Sequence, residues 1–163
     1  AAYEELGAGG ALIAGIGDAR DLGTIPTSSI DYVFLDPPYD GKVQYAELNF
    51  LWESWLGATD DWGSADLVVN AARGQLSASW YEGIRRVVDE CSRVLKPGAW
   101  LTLTCVPSTS LSLAPVLAHA GMAGLIHHTE LDGTVVNRQK TFAQRTGGST
   151  VRDQVMHFQR EWC

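Results

Sequence analysis

The sequence predicts an α/β protein built on a mainly parallel sheet with an antiparallel pair of strands at one edge. Three observations carry this. Short apolar runs rich in β formers alternate with segments whose apolar residues recur every three or four positions. The run Tyr32-Val33-Phe34-Leu35 stops abruptly at Asp36-Pro37-Pro38-Tyr39, as a buried strand does. Two apolar runs near the end, 123–130 and 153–160, read as successive strands with no helix between them, which suits an antiparallel pair.

The elements run in order along the chain. Residues 11–16 (Ala-Leu-Ile-Ala-Gly-Ile) read as a strand, 17–22 as a turn and 24–30 as a Thr/Ser/Pro loop. The strand at 31–35 leads into the double proline. Residues 43–56 read as a helix, with Leu48, Leu51, Trp52, Trp55 and Leu56 in one apolar stripe. Trp52 and Trp55 are expected in the core, and Gly57 is the expected stop. Residues 58–77 read as a long loop, a length often used for a functional lid. The clearest helix spans 78–95. Ser77 or Ser79 is its expected cap, with Glu82 three residues after Ser79. Ile84, Val87, Val88, Cys91, Val94 and Leu95 line its inner face, and Lys96-Pro97-Gly98 ends it. A strand over 99–106, a helix over 111–120 ended by Gly121, and the two closing strands complete the order. Residues 133–150 are polar and read as a connection.

Composition narrows the function classes. The chain has 163 residues, one domain's worth, with 45% hydrophobic and 19% charged content. Its formal net charge is -7 and it has no Lys/Arg run. If nucleic acid is the substrate, most of the phosphate grip lies outside this chain. Cys91, Cys105 and Cys163 form no CxxC pair, which argues against a zinc site and a disulfide framework and fits a reduced, cytoplasmic setting. No metal ligand set is expected. No apolar run reaches the ~18–20 residues needed to cross a bilayer, so no membrane partner is expected.

The double-proline turn is the strongest candidate site. Asp36 offers a carboxylate and Pro37 a carbonyl, while Pro38 has no N–H to compete with a ligand's donors. Two convergent acceptors suit an exocyclic –NH2, which carries two donors. They orient the amine and expose its lone pair for attack on an electrophilic carbon. Tyr39 adds a flat face for a base, worth roughly 1–3 kcal/mol per stacked base in nucleic-acid sites. A duplex base handled this way must first leave its stack. The bland alternative is a plain turn with a helix-capping Asp.

Phe34-Leu35-Asp36-Pro37-Pro38-Tyr39 resembles the catalytic motif of the amino-group methyltransferases, which move methyl from S-adenosylmethionine to adenine N6 or cytosine N4. The flanks extend the likeness. Gly17-Asp18-Ala19-Arg20-Asp21-Leu22 resembles the segment just upstream in such enzymes. Val43-Gln44-Tyr45-Ala46-Glu47-Leu48, with Trp52 and Trp55-Leu56, is similar to the segment after the motif in large bacterial adenine-specific DNA methylases. Arg93-Val94-Leu95-Lys96-Pro97-Gly98 is of a kind widespread in Rossmann-like methyltransferases. Lys140-Thr141-Phe142-Ala143-Gln144-Arg145 and Asp153-Gln154-Val155 resemble the C-terminal part of the same group. Together these cover roughly residues 11–160.

The resemblance implies a partial Rossmann-like fold and methyl transfer to a DNA base, adenine N6 first, with S-adenosylmethionine as cofactor and flipped-out DNA as partner. Asp36, Pro37, Pro38 and Tyr39 form the implied catalytic site; Asp18 and the Ala19 amide lie near the donor's adenine. Asp40-Gly41 and Tyr45 are implied at the substrate entrance, with helix packing the equal alternative for Tyr45. Arg73-Gly74 reads as solvated loop before phosphate contact. His127 and His128 are expected on opposite faces of a strand, one solvated and one packed. An RNA base as substrate, or a non-catalytic interaction module, stays open.

The sequence departs from the family in one respect. The family opens with a strand and a Gly-rich loop for the donor's methionine end, then a strand ending in an acidic residue for the ribose. Neither is found here: Leu6-Gly7-Ala8-Gly9-Gly10 is glycine-rich but no strand precedes it. We therefore expect residues 1–163 to be a single, truncated methyltransferase catalytic domain with its donor half missing upstream. An edge left open at 31–35 is then covered by the 11–16 strand or by a second copy in a homo-oligomer.

Overall fold

The computed structural model describes residues 17–38, 40–41, 43–56, 66–105, 111–136 and 152–162. The expected strand at 11–16 lies outside them. Five strands form one sheet: β1 (Ile30–Leu35), β2 (Leu95–Cys105), β3 (Leu125–His127), β4 (Gly133–Val136) and β5 (Arg152–Arg160). Among the described residues three α-helices accompany them: α1 (Tyr45–Leu56), α2 (Ser77–Val94) and α3 (Ala114–Met122).

The strand order is β1-β2-β5-β3, with β4 also pairing β5. β1 and β2 are parallel; β5 is antiparallel to β2, β3 and β4. β5 alone therefore runs against the others, and the α/β sheet is mixed as expected, with β3 and β5 as the antiparallel edge pair. β4 is new. Residues 133–136 fall in a stretch that reads as polar connection, and they become a strand by borrowing the ladder of β5.

The core lies on one face of this sheet. Ile84, Val87, Val88 and Cys91 of α2 pack with Leu101, Leu103, Cys105, Met156, Phe158 and Leu125 of the sheet, and with Val116 and Ala120 of α3. Each large side chain so buried contributes about 1.5–3 kcal/mol relative to exposure. The whole face predicted for 78–95, including Val94 and Leu95, is buried. Its start differs. Leu76 is the N-cap and makes no side-chain cap bond. Ser79 Oγ donates back to Leu76's carbonyl (2.7 Å) and Glu82 pairs with Arg85 (3.1 Å), so the expected serine cap is not made. At the other end β2 begins at Leu95, so Lys96-Pro97-Gly98 lies within the strand instead of before it. The β1/β2 register shifts there, between Ile30 and Tyr32. Gly98 takes φ +76° with the Trp162 ring against it, where a Cβ would collide.

The opposite face of the sheet is thinly covered. Tyr32 and Phe34 alternate with the inward Val33 and Leu35, so β1 is half-exposed and not buried throughout. Beneath them Tyr32 Oη donates to Thr102 Oγ1 (2.7 Å), which also meets His157 Nδ1 at 3.0 Å. His127 stacks on Phe158 and bonds Asp132, while His128 lies against Trp100 and bonds Glu130. Both histidines are thus packed, where one was expected in solvent: strand β3 ends before His128, and the 3-10 turn at Thr129–Leu131 folds carboxylates over them.

The largest departure is α1. Leu48, Leu51, Trp52, Trp55 and Leu56 are 62–82% exposed, and no residue of this helix is buried. The stripe is real, but nothing among the described elements packs on it.

The loop before β1 is strapped to the end of α2. Arg93 donates to the carbonyls of Leu22 (2.9 Å) and Ile25 (3.0 Å), and Glu90 accepts from the Leu22 amide (2.7 Å). The Arg93 guanidinium, and then the Leu22 amide, pull the Glu90 carboxyl from 4.5 to about 2. A carboxylate depressed in the folded state stabilises it fully above the unfolded pKa and loses that contribution as pH falls toward the folded one. Glu90→Gln is therefore expected to lower the urea midpoint at neutral pH. The gap to the unsubstituted protein should close as pH falls from about 4.5 to about 2. Urea titrations at a series of pH values check this.

Candidate active site

Asp36 sits at the C-terminal end of β1, where open α/β sheets place their ligands. The parallel register sets Leu35 beside Leu103, so Asp36 and Thr104 come level at the ends of adjacent strands. Thr104 Oγ1 donates to Asp36 Oδ1 at 2.6 Å, and the Asp36 residue remains exposed to solvent. This bond restrains the carboxylate at one oxygen.

The double proline is fixed from below. Pro37 is buried, and the Trp80 indole N–H donates to the Pro38 carbonyl at 3.0 Å. Trp80 is itself 4% exposed, in the first turn of α2. Asp40 takes a positive φ of 53°, an uncommon conformation for a non-glycine residue, and its carbonyl accepts from the Val69 amide at 3.0 Å. A Cβ on Gly41 would collide with the Val69 carbonyl at 2.5 Å, so only glycine fits there. The segment after 65 is thus part of the site's frame. Gln44 donates to the carbonyls of Gly41 and Val69 and accepts from Asn70 Nδ2 (2.8 Å). Tyr39 lies outside the described residues.

Arg73 does not stand free as a phosphate ligand: it pairs with Glu47 at 3.3 Å, with Gly74 in the left-handed region closing its turn. Tyr45 is the first residue of α1 and is 40% exposed. The sequence pointed to neither Thr104 nor Trp80. Thr104 becomes readable only once the pairing of β1 with β2 is known, and no local pattern marks Trp80.

Asp18 has a different environment. Arg20 grips it through Nε and Nη2 at 2.7–3.0 Å and through its amide at 2.9 Å. The Arg20 side chain is the largest cause holding the Asp18 carboxyl below its ordinary 3.8. The carboxylate is nearly half-exposed, and Arg20 already engages both of its oxygens. Ala19 lies in the same turn. Cys91 and Cys105 are buried free thiols that desolvation pushes up to about 11, so they are packing groups and not nucleophiles. Among the described residues no His/Cys/Asp/Glu group could hold a metal ion, and no helix is long and apolar enough to cross a membrane.

No family model matches the chain, and no curated protein matches it by sequence. Solved structures do match by shape. A proposed DNA modification methylase from Thermus thermophilus is similar with a TM-score of 0.51 at 16% identity, over 91% of this chain and 53% of that one. Its complex with S-adenosyl-L-methionine gives 0.51 at 16% identity, over 91% and 55%. PvuII DNA methyltransferase, described as cytosine-N4-specific, gives 0.52 at 15% identity, over 90% and 49%. The chain spans about half the length of these structures. The likeness is one of fold: this is an α/β chain with a mixed sheet that matches these methyltransferase structures over about 90% of its length.

Trp80→Phe keeps a ring in the core and removes the donor to Pro38. Leaving that carbonyl unpaired is expected to cost about 1–3 kcal/mol of unfolding free energy. Urea denaturation checks the cost. Thr104→Val should be milder, because Asp36 is open to water.

Proposed function

We propose that this chain is the catalytic part of a methyltransferase acting on the exocyclic amine of a DNA base, adenine N6 in particular. The observation that carries it is a carboxylate held by Thr104 at a strand end, beside a double proline whose first ring is buried and whose second carbonyl is held by Trp80. Asp36 and the Pro37 carbonyl accept the two N–H groups of the amine. Held so, the nitrogen presents its lone pair outward, and Asp36 keeps the departing proton close. S-adenosylmethionine, when bound, supplies the electrophilic methyl. Tyr39 gives the base a stacking face. Asp18 accepts from the donor's adenine amine, and the Ala19 amide donates beside it.

Residues 1–163 are read as a single, truncated catalytic domain of a cytoplasmic protein. The net charge of -7 favours a phosphate grip supplied from outside this chain. The same charge favours the rival reading, a non-catalytic module with a methyltransferase shape.

Methyl transfer from labelled S-adenosylmethionine to duplex DNA, followed by nucleoside analysis, tests the proposal. N6-methyladenine is the expected product, and Asp36→Ala should lower its formation by at least about 10²-fold. Asp18→Ala should weaken donor binding in calorimetry and spare the fold. Donor binding with no methyl transfer to any nucleic acid would sink the catalytic reading and leave the interaction module.

A further inference from the structure

Helix α1 poses a physical problem. It has 12 residues, none buried, and its stripe of Leu48, Leu51, Trp52, Trp55 and Leu56 faces water. Isolated helices shorter than about 12–15 residues are marginal in water. Among the described residues the contacts holding α1 lie near its N-terminus: Asp66 accepts from the Ala46 amide (3.2 Å) and Arg73 meets Glu47. Trp52 and Trp55 meet edge-to-face at 5.8 Å, a pair that fixes the two rings as a unit on the helix surface. Taking about 150–250 Å² for each of the five large side chains, scaled by exposure, the stripe offers on the order of 700 Å². That exceeds the ~300–600 Å² patch of a typical monomer. It is close to the ~800 Å² each partner gives a standard interface.

The order of residues says what covers it. Leu51-Trp52-Glu53-Ser54-Trp55-Leu56 reads the same in apolar terms from either end, about a centre between Glu53 and Ser54. Two such helices packed antiparallel across a two-fold axis set Leu51 against Leu56 and Trp52 against Trp55, in both directions at once. An isologous interface requires that self-complementarity. Glu53 and Ser54 lie on the opposite face of the helix, so no carboxylate enters the contact. A helix of another sequence needs no palindrome. Nucleic acid would meet a helix whose only charges, Glu47 and Glu53, are acidic.

We propose that α1 is the homodimer interface of this chain, pairing antiparallel with α1 of a second copy. The inference stands independently of the catalytic reading. It places the two double-proline turns near one shared surface, because α1 begins six residues after Tyr39. Two copies at net charge -7 repel, so the contact is apolar and strengthened by salt.

Light scattering of the full chain tests this between about 1 µM and about 100 µM, at about 0.05 M and about 0.5 M NaCl. The mass should rise with concentration from 17.7 kDa toward twice that value, and further at high salt. Trp52→Glu with Trp55→Glu should hold the chain at 17.7 kDa while the urea transition of the core is kept. Hydrogen exchange on the unsubstituted chain gives a readout that needs no variant. Amides of 45–56 should gain about tenfold protection over the same concentration range. A single 17.7 kDa species throughout overturns the proposal. So does a dimer that ignores both substitutions, falls apart in salt, or leaves the α1 amides unprotected.

Discussion

The inner face of α2 lies across β2 and β5, and the rest of the described fold depends on that contact. Ile84, Val87, Val88 and Cys91 bury themselves against Leu101, Leu103, Met156 and Phe158. The two ends of the same helix then do separate jobs. At its start Trp80 holds the Pro38 carbonyl, and at its end Arg93 and Glu90 hold the loop that feeds β1. One packed helix thereby sets both the entry and the exit of the strand that carries Asp36. Arg160, at the end of β5, donates to the carbonyls of Arg93 and Leu95, so β5 caps that helix too.

The site inherits its rigidity from this arrangement. A carboxylate on a loop would move with the loop. Asp36 instead follows a strand, precedes two residues with fixed φ, and is bonded to Thr104 of the neighbouring strand. The positive φ at Asp40 and the close approach at Gly41 show the chain being forced to turn there toward Val69. Strain of that kind survives only where surroundings over-determine it.

Much of the fold was legible in the sequence because burial imposes a period. The stripe over 84–95 and the runs at 31–35, 99–106 and 153–160 fell where the elements are. The same logic misplaced Trp52 and Trp55. A 3.6-residue stripe says which face of a helix is apolar and nothing about what lies over it. β4 was illegible for the opposite reason: four residues gain strand character only from a partner some way along the chain. At the site, Asp36 and the prolines were readable as local chemistry. Thr104 and Trp80, which hold them, belong to elements brought in by tertiary pairing, and no local spacing encodes that.

The position of β5 has a consequence for how the protein is made. Among the described strands, β2 and β3 are joined through β5, and β4 has no other neighbour. On a ribosome, β1, α1, α2 and β2 emerge well before Arg152–Arg160. Until those residues appear, the inner edge of β2 stays open and β3 has nothing to join. Closure of the sheet therefore waits on long-range pairing and is slow for that reason. During that interval β2 offers an unpaired edge to any passing strand, so the growing chain is most exposed to misassembly just before β5 emerges.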